Sequence, residues 1–195
     1  MILRSFLFVP GNRIDRIEKA FASPADAVII DLEDAVAPSE KESVRKQVGA
    51  FLEKGNRKNI FVRVNGVKTP FLMEDLEATT QASVQGIVIP KCDDPEALKR
   101  IDQKLKELEK RRSVSEGQIR IVTQLESALG LSKAQEIGAS SKRMLGLAIG
   151  AGDLTLDLGA KLTKTGGNCF MPVLTLSLRA VWQGSMPSMP LLCSM

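Results

Sequence analysis

Short apolar runs alternate with longer stretches of helical periodicity along most of this chain. Runs rich in Val and Ile lie at Leu3–Val9, Ala27–Leu32, Ile60–Val64, Gly86–Ile89, Ile119–Leu125 and Met144–Ile149. They are apolar on both faces, the pattern of strands buried in a parallel sheet. Between them lie Asp15–Ala22, Ser39–Glu53, Pro70–Ala82, Pro95–Arg112 and Ser127–Ile137. In the fourth of these, Leu98, Ile101, Leu105 and Leu108 recur at helical spacing with Lys and Glu between them. Pro38-Ser39 and Asp94-Pro95 suit helix starts. Repeated strand–helix units predict an α/β fold built on a parallel sheet.

The pattern ends near residue 168. From Cys169 to Met195 the only charge is Arg179, and neither a helix nor a strand period is clean. Residues 1–168 therefore read as one α/β domain and residues 169–195 as an atypical tail. A buried C-terminal segment and a segment foreign to the fold both fit the tail.

Each predicted strand runs directly into polar residues. The six ends are Pro10-Gly11-Asn12-Arg13, Asp31-Leu32-Glu33-Asp34, Arg63 with Asn65, Pro90-Lys91, Gln124-Leu125-Glu126 and Gly150-Ala151-Gly152-Asp153. In a barrel of parallel strands such ends converge on one face and build the active site.

Composition narrows the chemistry. With 195 residues the chain can bury one sizeable core. Its 27 basic residues are interleaved with 23 acidic ones, leaving a net charge of +4. No basic block with aromatic neighbours occurs, so nucleic acid is not expected as a partner; a polyanionic small ligand such as a CoA-like phosphate fits. The three cysteines have no metal or redox spacing, which suggests a reducing, cytoplasmic setting. No apolar run approaches the ~18 residues of a membrane span. There is no His and no Tyr. That removes the commonest general acid/base and every Ser-His or Cys-His pair, so chemistry falls to Asp, Glu, Lys, Arg, Cys or a bound ion.

Glu126 and Asp153 sit on neighbouring strand ends. Two hard oxygen ligands with room for waters and substrate oxygens suit Mg²⁺; the same residues are also ordinary helix starts and caps. Asp31, Glu33 and Asp34 crowd one short loop, where like charges need cations or hydrogen bonds to offset them. They could orient metal-bound waters or face solvent. Arg63 lies inside the apolar strand Phe-Val-Arg-Val-Asn. Its natural partner is a carboxylate, from substrate or from the acidic loop. Lys91 follows Ile-Val-Ile-Pro and is either a counter-charge or a Schiff-base lysine. Asn12, Arg13 and Arg16 open a helix that could hold a phosphate, although Pro-Gly-Asn is also a common turn.

Together these segments resemble the citrate lyase β-subunit family, part of the HpcH/HpaI aldolase/citrate lyase superfamily. The matching stretches run from Arg4 to Arg13 and from Ala25 to Pro38, then through Val62-Arg63-Val64-Asn65, Val88-Ile89-Pro90-Lys91, Gln124-Leu125-Glu126-Ser127 and Gly146–Leu154, within residues 2–168. The resemblance implies a TIM-type (β/α)₈ barrel, incomplete here with about six βα units. It also implies Mg²⁺ held by Glu126 and Asp153, Arg63 on a substrate carboxylate, and the acidic loop around metal-bound waters. The implied activity is retro-aldol cleavage, or its Claisen-type reverse, of citryl-, malyl- or citramalyl-type thioesters of CoA or an acyl carrier protein.

Two other readings stand beside it: a non-catalytic acyl-CoA-binding or relic subunit, and a Schiff-base aldolase using Lys91. An incomplete barrel leaves open edges at the first and sixth strands, so a homo-oligomer or a lyase-complex subunit is expected. A helix over residues 173–181 could cover part of the gap.

The tail departs from the family. Where relatives typically read Leu-Tyr-Ala-Arg-Ser, this chain reads Cys169-Phe170-Met171-Pro172-Val173-Leu174. The codons TGC-TTT-ATG-CCC-GTT-CTN encode the latter and, read from the third base, the former. The tail is thus expected to be out of frame after a frameshift near Asn168. An in-frame coding sequence with homologous tails elsewhere would rule that out.

Overall fold

A computed structural model describes residues 3–55, 57, 59–160 and 191–194. The atypical tail from Cys169 to Pro190, including the helix expected over 173–181 and the proposed frame change, lies outside the described residues.

The described chain alternates strands and helices in the predicted order. The strands are β1 (Phe6–Pro10), β2 (Ala27–Asp31), β3 (Ile60–Arg63), β4 (Val84–Ile89), β5 (Arg120–Leu125), β6 (Met144–Gly150) and β7 (Leu191–Ser194). The helices are α1 (Ile14–Ala20), α2 (Lys41–Glu53), α3 (Leu72–Thr79), α4 (Pro95–Arg111), α5 (Ala128–Ser132), α6 (Ala134–Ala139) and α7 (Ala151–Asp157), with a 3₁₀ turn at Pro38–Glu40.

All strand pairings are parallel and follow sequence order from β1 to β7. The sheet curls as an incomplete (β/α)-type barrel. The open edge expected at the sixth strand is instead paired, in part, by β7, whose Leu191–Ser194 align with Leu147–Gly150. Four residues fit after Pro190 because a strand can begin directly behind a proline but not run through one.

The helices cover one face of the sheet. Their buried positions, such as Ile17, Val48, Leu76, Leu98, Ile101 and Leu105, join Ile30, Val62, Ile87, Ile121 and Ile149 in one core. α4 shows how the sequence makes this. Asp94 caps it by accepting from the Glu96 N–H, Pro95 opens it, and every apolar residue of the Leu98–Leu108 stripe is fully buried. The helix expected over Ser127–Ile137 is divided at Lys133 into α5 and α6, with Ser127 capping the first. No helix among the described residues is long and apolar enough to cross a membrane.

The other face carries no helix among the described residues. Alternate strand residues Ala27, Ile29, Phe61, Val88, Val122 and Ala148 pack there with Phe6 and Phe8. The Phe6 and Phe61 rings meet edge to face at 5.4 Å. Gly86 makes room for Phe61: a Cβ there would lie 2.7 Å from the ring. Continuing the same alternation toward the strands' C-terminal ends places Asp31, Arg63, Gln124 and Glu126 above this apolar layer.

At the opposite end a buried ion pair ties α4 to the starts of β5 and β6. Glu109 takes a two-pronged contact from Arg143 at 2.7 Å on each oxygen, and accepts the Ile119 and Gly117 N–H groups at 2.9 Å. Burial opposes the charge of Glu109, but Arg143 and the two amides outweigh it and hold the carboxyl below its ordinary range. A depressed carboxyl contributes stability above its unfolded pKa and loses it as pH falls through the folded one. Urea denaturation should therefore show stability falling below about pH 4. Glu109→Gln, which leaves Asp102 as the anionic partner of Arg143, should cost about 2–3 kcal/mol at neutral pH and flatten the acid limb.

Candidate active site

A cavity of about 390 Å³ opens at the C-terminal ends of the strands, with Asp31, Arg63, Gln124, Glu126 and Asp153 in its walls and Phe8 beneath. Sequence reasoning assigned Arg63, Glu126 and Asp153 to a common site, and the fold brings all three to this one cavity.

Arg63 ends β3 directly opposite Asp31, the last residue of β2. Its Nε and Nη2 donate to the two Asp31 oxygens at 2.8 and 2.7 Å. Its Nη1 lies 3.2 Å from Glu33 and 3.7 Å from Asp34, and its guanidinium rests 5.1 Å from the centre of the Phe8 ring. Burial works against this charge, but Asp31, Glu33 and Asp34 outweigh it and hold the guanidinium protonated well above its ordinary range. The partner that the sequence left open between substrate and acidic loop is, in this structure, the acidic loop.

The three acidic residues of that loop are not equivalent. Asp31 is buried, and besides Arg63 it accepts the N–H groups of Glu33 at 2.9 Å and Ala35 at 3.1 Å, so it shapes the loop it begins. Glu33 is also buried, and burial raises its pKa despite Lys91 and Arg63. Asp34 is exposed at the cavity rim.

Lys91 stands just beyond β4. Its ammonium contacts Glu33 at 2.9 Å, Asp34 at 3.3 Å and Asp153 at 3.0 Å, while its backbone N–H donates to Glu126 at 2.9 Å. Burial favours the neutral amine, but Glu33, Asp153 and Asp34 outweigh it and keep the lysine charged above its ordinary range. The neighbouring Cys92 is buried, and burial pushes its thiol up to about 11, which leaves it no nucleophilic role at neutral pH.

Glu126 follows β5 and is buried. Burial raises its carboxyl to about 7; the Lys91 N–H opposes the rise and Glu33 and Asp153 add to it. Gly150, at the end of β6, is what gives it space, because a Cβ there would sit 2.1 Å from Glu126 Oε1. Asp153 lies in the first turn of α7, partly exposed.

Among the described residues no three His, Cys, Asp or Glu side chains form a ready-made metal cage. The donors present do suit a small hard cation that keeps most of its own waters. Glu126 is a buried carboxyl with no charge-paired cation, and Gln124 Oε1 beside it is buried without a hydrogen-bond partner among the described residues. Asp153 supplies a second carboxylate from the first turn of α7.

Asn12, Arg13 and Arg16 are exposed and are not in the cavity wall. Arg13 turns instead to Asp15, two residues on, at 3.1 Å.

A supporting network went unrecognised in the sequence. Lys41 Nζ donates to the Leu32 and Glu33 carbonyls, each at 2.9 Å, beneath the acidic loop. Asn65 donates to Leu32 O and, through side chain and backbone, to the fully buried Asp75, which Arg45 also holds at 2.7 Å. The available signal was two cations, Lys41 and Arg45, on the same helical stripe as Val44, Val48 and Leu52.

The family described as HpcH/HpaI aldolase/citrate lyase matches residues 4–182. The citrate lyase subunit beta of Escherichia coli is 33% identical over 165 residues, covering 84% of this chain and 55% of that protein. An L-malyl-CoA/beta-methylmalyl-CoA lyase of Cereibacter sphaeroides is 33% identical over 169 residues, covering 84% of this chain and 53% of that one. The chain thus spans about half the length of these curated relatives. Among solved structures, the protein CitE of Mycobacterium tuberculosis in complex with magnesium, acetoacetate and coenzyme A superimposes with a TM-score of 0.71 at 27% identity, covering 98% of this chain and 65% of that one.

The Gly150 contact is testable without ligands. Gly150→Ala should push the flexible Glu126 side chain off the Lys91 N–H and leave overall stability within about 1 kcal/mol. NMR should show a large shift of the Lys91 amide with an almost unchanged melting temperature. An unmoved amide would mean that the glycine is not what seats Glu126.

Proposed function

Because this chain belongs to the HpcH/HpaI aldolase/citrate lyase family, we propose that it serves a Mg²⁺-dependent carbon–carbon lyase acting on a citryl-, malyl- or citramalyl-type thioester of CoA or an acyl carrier protein. The observation that carries this reading is the meeting of Glu126 and Asp153, from successive strand ends, in one cavity with Arg63.

Glu126 and Asp153 would hold the metal, with Gln124 Oε1 beside them as an acceptor in need of a partner. When bound, Mg²⁺ supplies Lewis acidity toward the keto oxygen that forms or is consumed in the carbon–carbon step. Arg63 presents a charge that stays on at any physiological pH. Nη1, which Asp31 does not engage and which faces Glu33 and Asp34 at 3.2 and 3.7 Å, would orient a substrate carboxylate in exchange for those contacts. Asp31 fixes the direction of that fork. Phe8 and the apolar layer below would limit water at the cavity floor. Glu33 and Asp34 would receive hydrogen bonds from waters around the metal.

Relatives bearing lyase names and the CitE complex with magnesium and coenzyme A support the substrate class and the ion. A Schiff-base role for Lys91 is disfavoured, since such a lysine must attack as a neutral amine and this one is held charged by three carboxylates.

Two sets of variants test the reading. Glu126→Gln and Asp153→Asn should each weaken Mg²⁺ binding at least about tenfold, because each removes a charged oxygen from a site with few protein ligands. Calorimetric titration reads this directly; unaltered affinity in both, or no Mg²⁺ binding by the parent chain, would overturn the metal site. Arg63→Lys keeps the charge and loses the planar fork. It should abolish acyl-CoA binding, with Mg²⁺ affinity nearly unchanged, and near-normal thioester binding would count against Arg63. A lyase assay over citryl-, malyl- and citramalyl-CoA alongside separates turnover from binding alone.

A further inference from the structure

Lys91 is connected to both proposed metal ligands by different parts of itself. Its backbone adopts φ +49°, a left-handed conformation unusual for a residue with a side chain. That conformation accompanies the 2.9 Å hydrogen bond from its N–H to Glu126. Its side chain reaches across to the other ligand, with Nζ 3.0 Å from Asp153 Oδ2, and also touches Glu33 and Asp34. One residue therefore joins the wall that carries Glu126 to the first turn of α7, which carries Asp153, and to the loop that carries the acidic cluster.

The two cations of the site differ in kind. Arg63 is 11% exposed and pinned by a two-pronged contact with Asp31. Lys91 is 45% exposed, on a flexible stem, and its three partners come from two separate segments, the acidic loop and the first turn of α7. Only the second can be released into water at small cost.

Resting on the Mg²⁺ reading above, we propose that Lys91 is a tethered, displaceable counter-cation. Its ammonium neutralises Asp153 and the acidic loop in the ion-free site, and a divalent cation must displace it from Asp153 Oδ2 to bind. Lys91 then sets how much Mg²⁺ the site needs. Its backbone N–H keeps hold of Glu126 throughout, so the ligand geometry survives the exchange.

The sign of the effect separates this role from a structural one. A side chain that merely braced the site would weaken Mg²⁺ binding on removal. A competitor would strengthen it. Mg²⁺ should be titrated calorimetrically into the full chain and into Lys91→Met, Lys91→Gly and Lys91→Arg, with circular dichroism reporting the fold of each. Lys91→Met and Lys91→Gly should bind Mg²⁺ roughly tenfold more tightly than the parent, given three partly exposed pairs removed. Lys91→Arg should bind no more tightly than the parent. Glycine also suits the left-handed backbone, so it decides the matter if the methionine variant does not fold. Equal or weaker binding in the uncharged variants would overturn the counter-cation while leaving Glu126 and Asp153 as ligands. Absence of Mg²⁺ binding in all four proteins would overturn both readings.

Discussion

The site is organised by the ion pair between Asp31 and Arg63. Parallel register sets the last residue of β2 opposite the last residue of β3, and both side chains emerge on the face that no helix covers among the described residues. Neither charge is tolerable there alone. Together they leave Asp31 accepting from both arms of Arg63 and from the Glu33 and Ala35 N–H groups. The carboxylate is thereby saturated, and the chain leaving β2 is bent so that Glu33 and Asp34 point back toward Arg63 and Lys91. From below, Lys41 and Asn65 hold the same bend by its carbonyls. An acidic loop that would repel itself in isolation is thus clamped from two sides.

Much of this was legible in the sequence, and for identifiable reasons. Strands covered on both faces are continuous apolar runs, so β1 to β6 stood out. Because parallel strands deliver their C-terminal ends to one face, Arg63, Glu126 and Asp153 group together on the sequence alone. What stayed hidden was pairing. Three acidic residues in four positions look alike along a chain, yet only Asp31 has the register that puts it against Arg63. Lys41 and Asp75 were overlooked because a charge on an apolar helical stripe reads as an interruption until its partner is known. Asn12, Arg13 and Arg16 looked like a phosphate cradle, but nothing in the sequence fixes the direction in which exposed side chains turn. β7 was missed because its four residues sit in a stretch with no clean period.

The cavity is built from opposites. Its floor is an aromatic and aliphatic layer that raises the cost of every charge above it. The charges are nonetheless present in excess, and each is answered differently. Arg63 is held permanently on by its partners. Glu126, given an amide and no cation, is raised to about 7. Asp153 stands at the rim against Lys91. Burial and the choice of partner together distinguish these carboxylates, leaving Glu126 as the group with most to gain from an incoming positive charge.

The strict order of the sheet has a consequence for how the chain reaches this state. Every strand from β2 to β6 pairs with the strand made just before it, so each new contact closes one βα crossover and never waits for a distant segment. Such sequential topology favours stepwise assembly from the N-terminus. During synthesis the growing sheet can add one strand at a time as each leaves the ribosome, with Asp31 meeting Arg63 long before Glu126 or Asp153 exists. The half of the site shaped around Asp31 is thereby synthesised before the half proposed to hold the cation, and the order of translation becomes the order of construction.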